Sequence, residues 1–209
     1  MEIAHVLAGE AVVPTGDPDM TARLRACFER AGLRPWVAGN SLVAVVPRGV
    51  DPIRPILEAT FAAQPVRARW GIGVGLGEPE ARDLGAMALE AARLARRALA
   101  IRTGAFVSPL GPDELSDRAA VLEALISGMT SRQGEIARRL LIDGWRQADV
   151  AAELGVSRAT ISVTVARSRI GAIAAARRLL VTALGGMADA NEGGTSTTAV
   201  SVVAVLPAT

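Results

Sequence analysis

A pair of short helices separated by a glycine turn is the feature of this sequence that most constrains its fold. The segment Gln147–Leu154 has apolar residues at helical spacing, which predicts a short helix with one buried side. Gly155 predicts the end of that helix, because glycine adopts a positive φ at little cost. Ser157 is a typical helix N-cap, and the segment Arg158–Arg169 is predicted as the second helix. The pattern therefore predicts two packed helices joined by a defined turn.

A further helix is predicted immediately before this pair. Residues 129–144 have a helical pattern, with Thr130 or Ser131 as the expected cap. The stretch Thr130–Arg169, with the turn signature AAELGVS, resembles the three-helix DNA-binding unit of LuxR-type regulators and of sigma-factor region 4. The resemblance implies that the second helix of the pair enters the major groove of double-stranded DNA. The residues expected to contact DNA are Gln147, Ser157, Arg158, Ala159, Thr160, Ser162, Val163, Thr164, Arg167 and Arg169.

The charge distribution favours a nucleic-acid partner for the same segment. All 23 basic residues are arginine, and arginine binds phosphate well. Residues 118–185 hold 10 arginines against 5 acidic residues, whereas residues 1–117 hold 13 against 14. Positive charge is thus concentrated where binding to a phosphate backbone requires it. Three Phe, three Trp and no Tyr are too few for a protein that binds single strands on stacked aromatic rings.

The first hundred residues alternate between strand and helix patterns in the order β-α-β-β-α-β-α, which is the split βαβ pattern of ferredoxin-like sheets. The predicted elements are strand Glu2–Val13, helix Asp19–Ala31, strands Arg34–Ala38 and Leu42–Pro47, helix Asp51–Gln64, strand Val66–Leu76, helix Glu80–Ile101 and a short strand Phe106–Leu110. The predicted fold class is α+β, with an antiparallel ferredoxin-like sheet and its helices at residues 1–112 and an all-α helix-turn-helix domain at residues 113–185. Residues 186–209 are expected to form a flexible tail, in which Ala199–Leu206 is either unstructured or an edge strand that docks on a partner.

Three N-terminal segments, VAGNSLVAVVP, WGIGVGLG and GAMALEAARLARRA, resemble class III nucleotidyl cyclase domains and, more closely, the SatD-like proteins, over about residues 2–110. By this resemblance, the two metal-binding carboxylates of a cyclase fall at Glu10 and Asn40. The pair of Asn and Arg that stabilises the transition state falls at Leu89 and Arg93. Since Asn40 is neutral and Leu89 has no polar group, we expect a catalytically degenerate domain without enzyme activity.

Ligand binding could survive in such a domain. The candidate ligand-binding residues are Glu10, Asn40, Gly73, Gly75 and Arg93, because glycine lets a ligand approach the backbone and arginine can meet phosphate. A nucleotide effector is therefore one candidate partner. The alternative is a domain that only folds, dimerises and positions the DNA-binding part.

The remaining composition excludes several kinds of site. One cysteine, Cys27, and one histidine, His5, allow no internal disulfide and no Cys-rich or multi-histidine zinc site, so we expect no metal and no cofactor. Cys27 is expected to be a buried residue of a helix. Since we find neither a signal peptide nor an apolar run of membrane-spanning length, we expect a cytoplasmic protein without a membrane partner.

The segment Gly171–Leu184 has helical spacing and is expected either to pair subunits in a homodimer or to pack within the chain. Together these features predict a DNA-binding transcriptional regulator. The alternatives are a nucleotide-processing, cyclase-like enzyme and a protein–protein adaptor that contacts the transcription machinery.

Overall fold

The structure, a computed structural model, describes residues 4–11, 18–38, 41–47, 50–62, 68–77, 113–190 and 198–204. The predicted helix Glu80–Ile101 and the predicted strand Phe106–Leu110 lie outside these residues. The described part combines a five-stranded, mainly antiparallel sheet with seven helices, which confirms the predicted α+β class.

The sheet is built around its first strand. Its members are β1 (Ala4–Ala11), β2 (Trp36–Ala38), β3 (Ser41–Pro47), β4 (Ala68–Gly77) and β5 (Thr198–Ala204), in the order β2-β3-β1-β4-β5. β1 is antiparallel to β3 on one edge and to β4 on the other. β5 runs antiparallel to β4 and also pairs in parallel with β1 at His5 and Val6. The second edge of β1 is therefore shared between β4 and β5.

Two helices, α1 (Pro18–Arg30) and α2 (Arg54–Phe61), pack against each other and contact the sheet. Their contact surrounds a buried carboxylate, Glu58, which accepts hydrogen bonds from Nε of Arg30 and Nε of Arg54, each at 3.2 Å. A buried charge costs free energy unless it is paired and hydrogen-bonded. The two arginines therefore make a carboxylate tolerable in this core. Cys27 is buried in α1, as predicted, and burial raises the pKa of its thiol.

The rest of the described chain is helical up to Ala190. The helices are α3 (Asp113–Ser127), α4 (Ser131–Leu141), α5 (Gln147–Glu153), α6 (Arg158–Arg167) and α7 (Ile170–Ala190). α7 packs along α3, and α4 packs on α2, where Gly134 lies against Phe61. The buried residues of this part are Ala119, Leu122, Ile126, Ile136, Ala137, Val150, Ala151, Ile161, Ile170, Ile173, Leu180 and Leu184. They belong to the same hydrophobic core as the buried residues of α1 and α2.

One arginine ties the two parts of the chain together. Nε of Arg177, on α7, donates to Oδ2 of Asp51 at 2.6 Å, and its Nη1 donates to the carbonyl oxygen of Leu141 at 2.8 Å. The other carboxylate oxygen of Asp51 accepts from the backbone N–H of Ile53 at 2.8 Å. The loop before α2, the end of α4 and the middle of α7 are thus joined through a single guanidinium.

Several predicted bounds are corrected by the structure. α2 begins at Arg54 rather than at Asp51, because the Asp51 side chain closes a turn before the helix. α6 ends at Arg167 rather than at Arg169, and α7 continues to Ala190, beyond the predicted end of the helical part. Thr198–Ala204 is a strand of the chain's own sheet where a tail or a partner-docking strand was expected.

Candidate nucleic-acid interface

The first helix of the three-helix unit, α4, begins at a reciprocal cap. Oγ1 of Thr130 accepts from the backbone N–H of Gln133 at 3.3 Å, and the backbone N–H of Thr130 donates to Oε1 of Gln133 at 2.9 Å. This arrangement satisfies donors that a helix N-terminus otherwise leaves unpaired. Thr130, and not Ser131, is therefore the cap.

The turn between α5 and α6 has the geometry that its sequence predicts. Gly155 has a φ of +62°, in the left-handed region that favours glycine. Val156 is half-buried and packs against the core. Oγ of Ser157 accepts from the backbone N–H of Thr160 at 3.0 Å and lies 2.8 Å from Oγ1 of the same residue. The start of α6 is therefore fixed by a side-chain cap, and both hydroxyls are engaged in it.

The buried side of α6 consists of Ile161, with Val165 half-buried beside it, and Ser168 just beyond the helix end. At 100° per residue, the opposite side is centred on Ala159, Val163 and Ala166, all of which are exposed. Ala166 was not among the predicted contact residues, although its spacing of three from Val163 and seven from Ala159 places it on the same face.

Most of the predicted contact residues are exposed. The exposed ones are Gln147, Ser157, Arg158, Ala159, Thr160, Ser162, Val163, Arg167 and Arg169. Thr164 is only half-buried and its hydroxyl donates to the carbonyl oxygen of Thr160 at 2.9 Å, so it is directed along the helix. Arg169 lies outside α6 with a φ of +54°, between α6 and α7.

The arginines of the three-helix unit, at residues 130–169, fall into two groups. On α4, Arg132 and Arg139 both pair with Glu135, at 2.6 and 2.8 Å, and Arg138 pairs with Asp143 at 3.2 Å. The hydrogen bond from Arg132 and, as the smaller effect, the hydrogen bond from Arg139 hold the pKa of the Glu135 carboxyl below its usual range. Arg139 also lies over the ring of Trp145, with its guanidinium carbon 5.7 Å from the ring centre.

The second group carries charge that no acidic residue compensates. Within the described part of the chain, the side chains of Arg146, Arg158, Arg167 and Arg169 form no ion pair. Arg146 caps α5 through its backbone N–H, which donates to Asp149 at 3.2 Å. Arg158 begins α6, while Arg167 and Arg169 line one cavity of about 280 Å³ at the other end. Unpaired positive charge is thus present at both ends of the exposed face of α6.

The candidate ligand-binding residues of the N-terminal part are not assembled into one site by the described residues. Asn40 and Arg93 lie outside them. Glu10 is in β1, opposite Arg69 of β4 in the register. Gly73 and Gly75 are paired with Val202 and Val200 of β5. One backbone edge of these glycines is therefore occupied by the chain's own strand.

Metal-binding and membrane-spanning features were sought in the described residues alone. No cluster of three or more His, Cys, Asp or Glu side chains suited to a metal ion occurs among them. None of the described helices has the length and apolarity needed to cross a bilayer.

Comparison with known proteins gives one distant match. No family model and no curated protein matches the chain. Among solved structures, the chain is similar to the crystal structure of a regulator of polyketide synthase expression from Bifidobacterium adolescentis, with a TM-score of 0.31 and 15% identity over 90% of this chain and 82% of that chain.

Proposed function

We propose that α4, α5 and α6 form a helix-turn-helix that binds double-stranded DNA, in a transcriptional regulator whose N-terminal part is a degenerate cyclase-like domain. The observation that carries the proposal is the exposed face of α6, which has small side chains at its centre and unpaired arginines at both ends. Such a face can approach base edges closely while its ends contact the two phosphate backbones.

The dimensions of α6 suit the major groove. Ten residues span about 15 Å at 1.5 Å per residue, and a helix with its side chains is about 10–12 Å across, which fits a major groove about 12 Å wide. Arg158 at one end and Arg167 at the other can therefore contact phosphates on opposite sides of the groove. Ala159, Val163 and Ala166 would lie at the base edges, where their apolar surface suits thymine methyl groups. Ser162 adds an exposed hydroxyl that can accept or donate a hydrogen bond.

The hydroxyls of Ser157 and Thr160 lie at the start of α6, where they could contact bases, but we assign them a structural role. Since Ser157 and Thr160 hydrogen-bond to each other and to the helix backbone, they set the entry angle of α6 rather than read bases. Direct readout is therefore assigned to Ser162 and the apolar centre of the face.

For the N-terminal part we propose a sensing or dimerising domain of the ferredoxin-like, SatD-like kind, at about residues 1–112, with the helix-turn-helix at about residues 113–185. The order β4-β1-β3-β2, with α1 after β1 and α2 after β3, supports this interpretation. The neutral Asn40 and the apolar Leu89 support a domain without cyclase activity. A homodimer would place two α6 helices on two half-sites.

The test is salt-dependent binding to a DNA ligand selected from a random pool with the full-length protein. Four phosphate contacts per protomer, from Arg146, Arg158, Arg167 and Arg169, predict a slope of about −3.6 per bound protomer in log K against log salt concentration, at about −0.9 per contact. Arg158→Gln should reduce the slope by about 0.9 and weaken specific binding. The matched control is Arg34→Gln, the same charge change at an exposed residue between α1 and β2. Failure to select any DNA that binds with salt dependence would refute the proposal.

An adaptor that contacts the transcription machinery is the second candidate, and the exposed apolar centre of α6 favours it. Val163 is 49% exposed and lies on the same face as the exposed Ala159 and Ala166, so the centre of that face offers an apolar surface to a protein partner. Val163→Ser should weaken binding to an adaptor's protein partner and leave nonspecific DNA binding at low salt unchanged. If no DNA binding is found and Arg158→Ala changes nothing, the adaptor is favoured.

A further inference from the structure

A second feature of the helical part is a cavity of about 410 Å³ between the end of α4, the middle of α7 and the loop before α2. Its apolar wall is formed by Leu140 and Leu141 of α4 and by Ala174 and Val181 of α7. The α7 residues that line it are three to four positions apart, so they lie along one side of the helix. Its volume is within the range of small-molecule sites, and it is open to solvent on the side of Arg178 and Thr182, whose side chains are exposed.

Two of the three charged side chains that line the cavity, Arg177 and Asp51, form hydrogen bonds and an ion pair within the protein. Arg177 donates to Asp51 and to the carbonyl oxygen of Leu141. Asp51 accepts from Arg177 on one oxygen and from the backbone N–H of Ile53 on the other. These two groups neutralise each other. Arg178 also lines the cavity, and its side chain forms no hydrogen bond or ion pair with another described residue.

The uncommitted polar groups at the cavity indicate the chemistry of a ligand. One guanidinium beside an apolar wall suits a single negative charge attached to a hydrocarbon body, because arginine binds a carboxylate through two parallel hydrogen bonds. Thr182, four residues after Arg178, lines the same cavity and adds a hydroxyl beside it. A doubly charged phosphate would need more cationic partners than the cavity has, since Arg177 is already bound to Asp51.

We propose that this cavity binds a small amphipathic monocarboxylate, with the carboxylate paired to Arg178 and the hydrocarbon chain against Leu140, Leu141 and Val181. The site is separate from the exposed face of α6 and from the candidate nucleotide residues of the N-terminal part. The proposal does not depend on DNA binding. Because the cavity lies between α4, α7 and the loop before α2, a bound ligand would contact both the helical part and the N-terminal part of the chain.

The probe is octanoate, titrated below its micelle concentration into the full-length protein by isothermal calorimetry, with octan-1-ol and octylammonium as matched neutral and cationic probes. We expect saturable binding of one octanoate per chain, and binding of both other probes weaker by about tenfold or more, because a charge-assisted hydrogen bond to arginine is lost. Methyl NMR should show shifts at Ala174 and Val181 that saturate with the same affinity.

Two substitutions of Arg178 test the assigned contact. Arg178→Gln should weaken octanoate binding by about tenfold, while Arg178→Lys, which keeps the charge but loses the two parallel hydrogen bonds, should give an intermediate affinity. Arg34→Gln, a matched change of charge elsewhere on the surface, should leave it unchanged. Equal binding of octanoate and octan-1-ol, unchanged binding by the Arg178→Gln protein, or octanoate shifts that are absent from the cavity methyls would each overturn the proposal.

Discussion

Replacing Arg177 with glutamine tests whether one guanidinium fastens the helical part of the chain to the N-terminal part. The Arg177 side chain is 22% exposed and that of Asp51 is 21% exposed, so their pairing is only partly screened by water. Nε and Nη2 of Arg177 approach the same Asp51 oxygen, at 2.6 and 2.5 Å, and Nη1 reaches the Leu141 carbonyl oxygen at 2.8 Å. We therefore count two interactions, one with the carboxylate and one with the carbonyl.

At the lower end of the range for hydrogen bonds to charged groups, about 1.5 kcal/mol each, Arg177→Gln should lower the free energy of unfolding by about 3 kcal/mol. For a chain of this length, that loss corresponds to a fall in Tm of roughly 6–12 °C. Urea unfolding followed by circular dichroism measures the change. Arg178→Gln is the matched control. Arg178 is exposed and forms no such contacts, so this change should cost less than about 0.5 kcal/mol.

A double-mutant cycle separates the ion pair from the rest. Asp51→Asn keeps an oxygen for the Ile53 N–H and removes only the charge. The coupling energy between Asp51→Asn and Arg177→Gln should be about 1.5 kcal/mol, as for other residues in one hydrogen-bond network. If Arg177→Gln cost no more than Arg178→Gln, or the cycle showed no coupling, the assignment of this contact as a fastening between the two parts would be wrong.

Four further outcomes follow from local geometry. Ser157→Ala should cost about 1 kcal/mol of stability through loss of the helix cap, whereas Ser162→Ala, at an exposed position of the same helix, should cost less than about 0.5 kcal/mol; equal costs in urea unfolding would contradict the capping role. Gly155→Ala should destabilise by about 1 kcal/mol, because alanine is strained at a φ of +62°, and an unchanged Tm would argue against that backbone conformation. The lowered pKa of Glu135 means that its stabilising effect is present above about pH 4.5 and is lost as the pH falls through the lower folded value; Glu135→Gln should therefore reduce the difference between urea midpoints at neutral and strongly acidic pH, and an unaltered difference would count against its pairing with two arginines. Alkylation of Cys27 by iodoacetamide should be slow until the chain unfolds, because burial both raises its pKa and blocks access; fast alkylation in native buffer would show that the α1 core is open.

The features that the sequence predicted well are local. The glycine of the turn, the Ser157 cap and the apolar spacing of α5 and α6 act within a few residues of one another, so the pattern defines the structure directly. The alternation of strand and helix patterns also predicted β1, α1, β2, β3, α2 and β4 in their order along the chain, and β2 and β3 pair antiparallel in the sheet.

The features that the sequence did not predict are of two kinds. Some join residues that are far apart in the chain, and others occur where no residue typical of that local structure is present. Arg177 and Asp51 are 126 positions apart, and nothing in either neighbourhood indicates the other. The end of α6 is not marked by a glycine in the sequence. The residue that adopts the left-handed conformation there is Arg169, and arginine does not predict a helix end. Uncompensated charge on Arg158 and Arg167 depends on where Glu135 and Asp143 place their carboxylates, which residue counts do not reveal.

The pairing of β5 with β1 has a consequence for how the protein is made. His5 and Ser201 are partners in the sheet although about 200 residues separate them. At a synthesis rate of about 5–20 residues per second, the edge of β1 at His5 and Val6 waits roughly 10–40 seconds for its partner. During that interval the nascent chain presents unpaired strand edges, the template for association with other chains. The helical part is synthesised within the same interval, between β4 and β5. Folding of the sheet is therefore completed only after β5 has been synthesised, and a ribosome that stalls within α7 holds a chain whose sheet is still open.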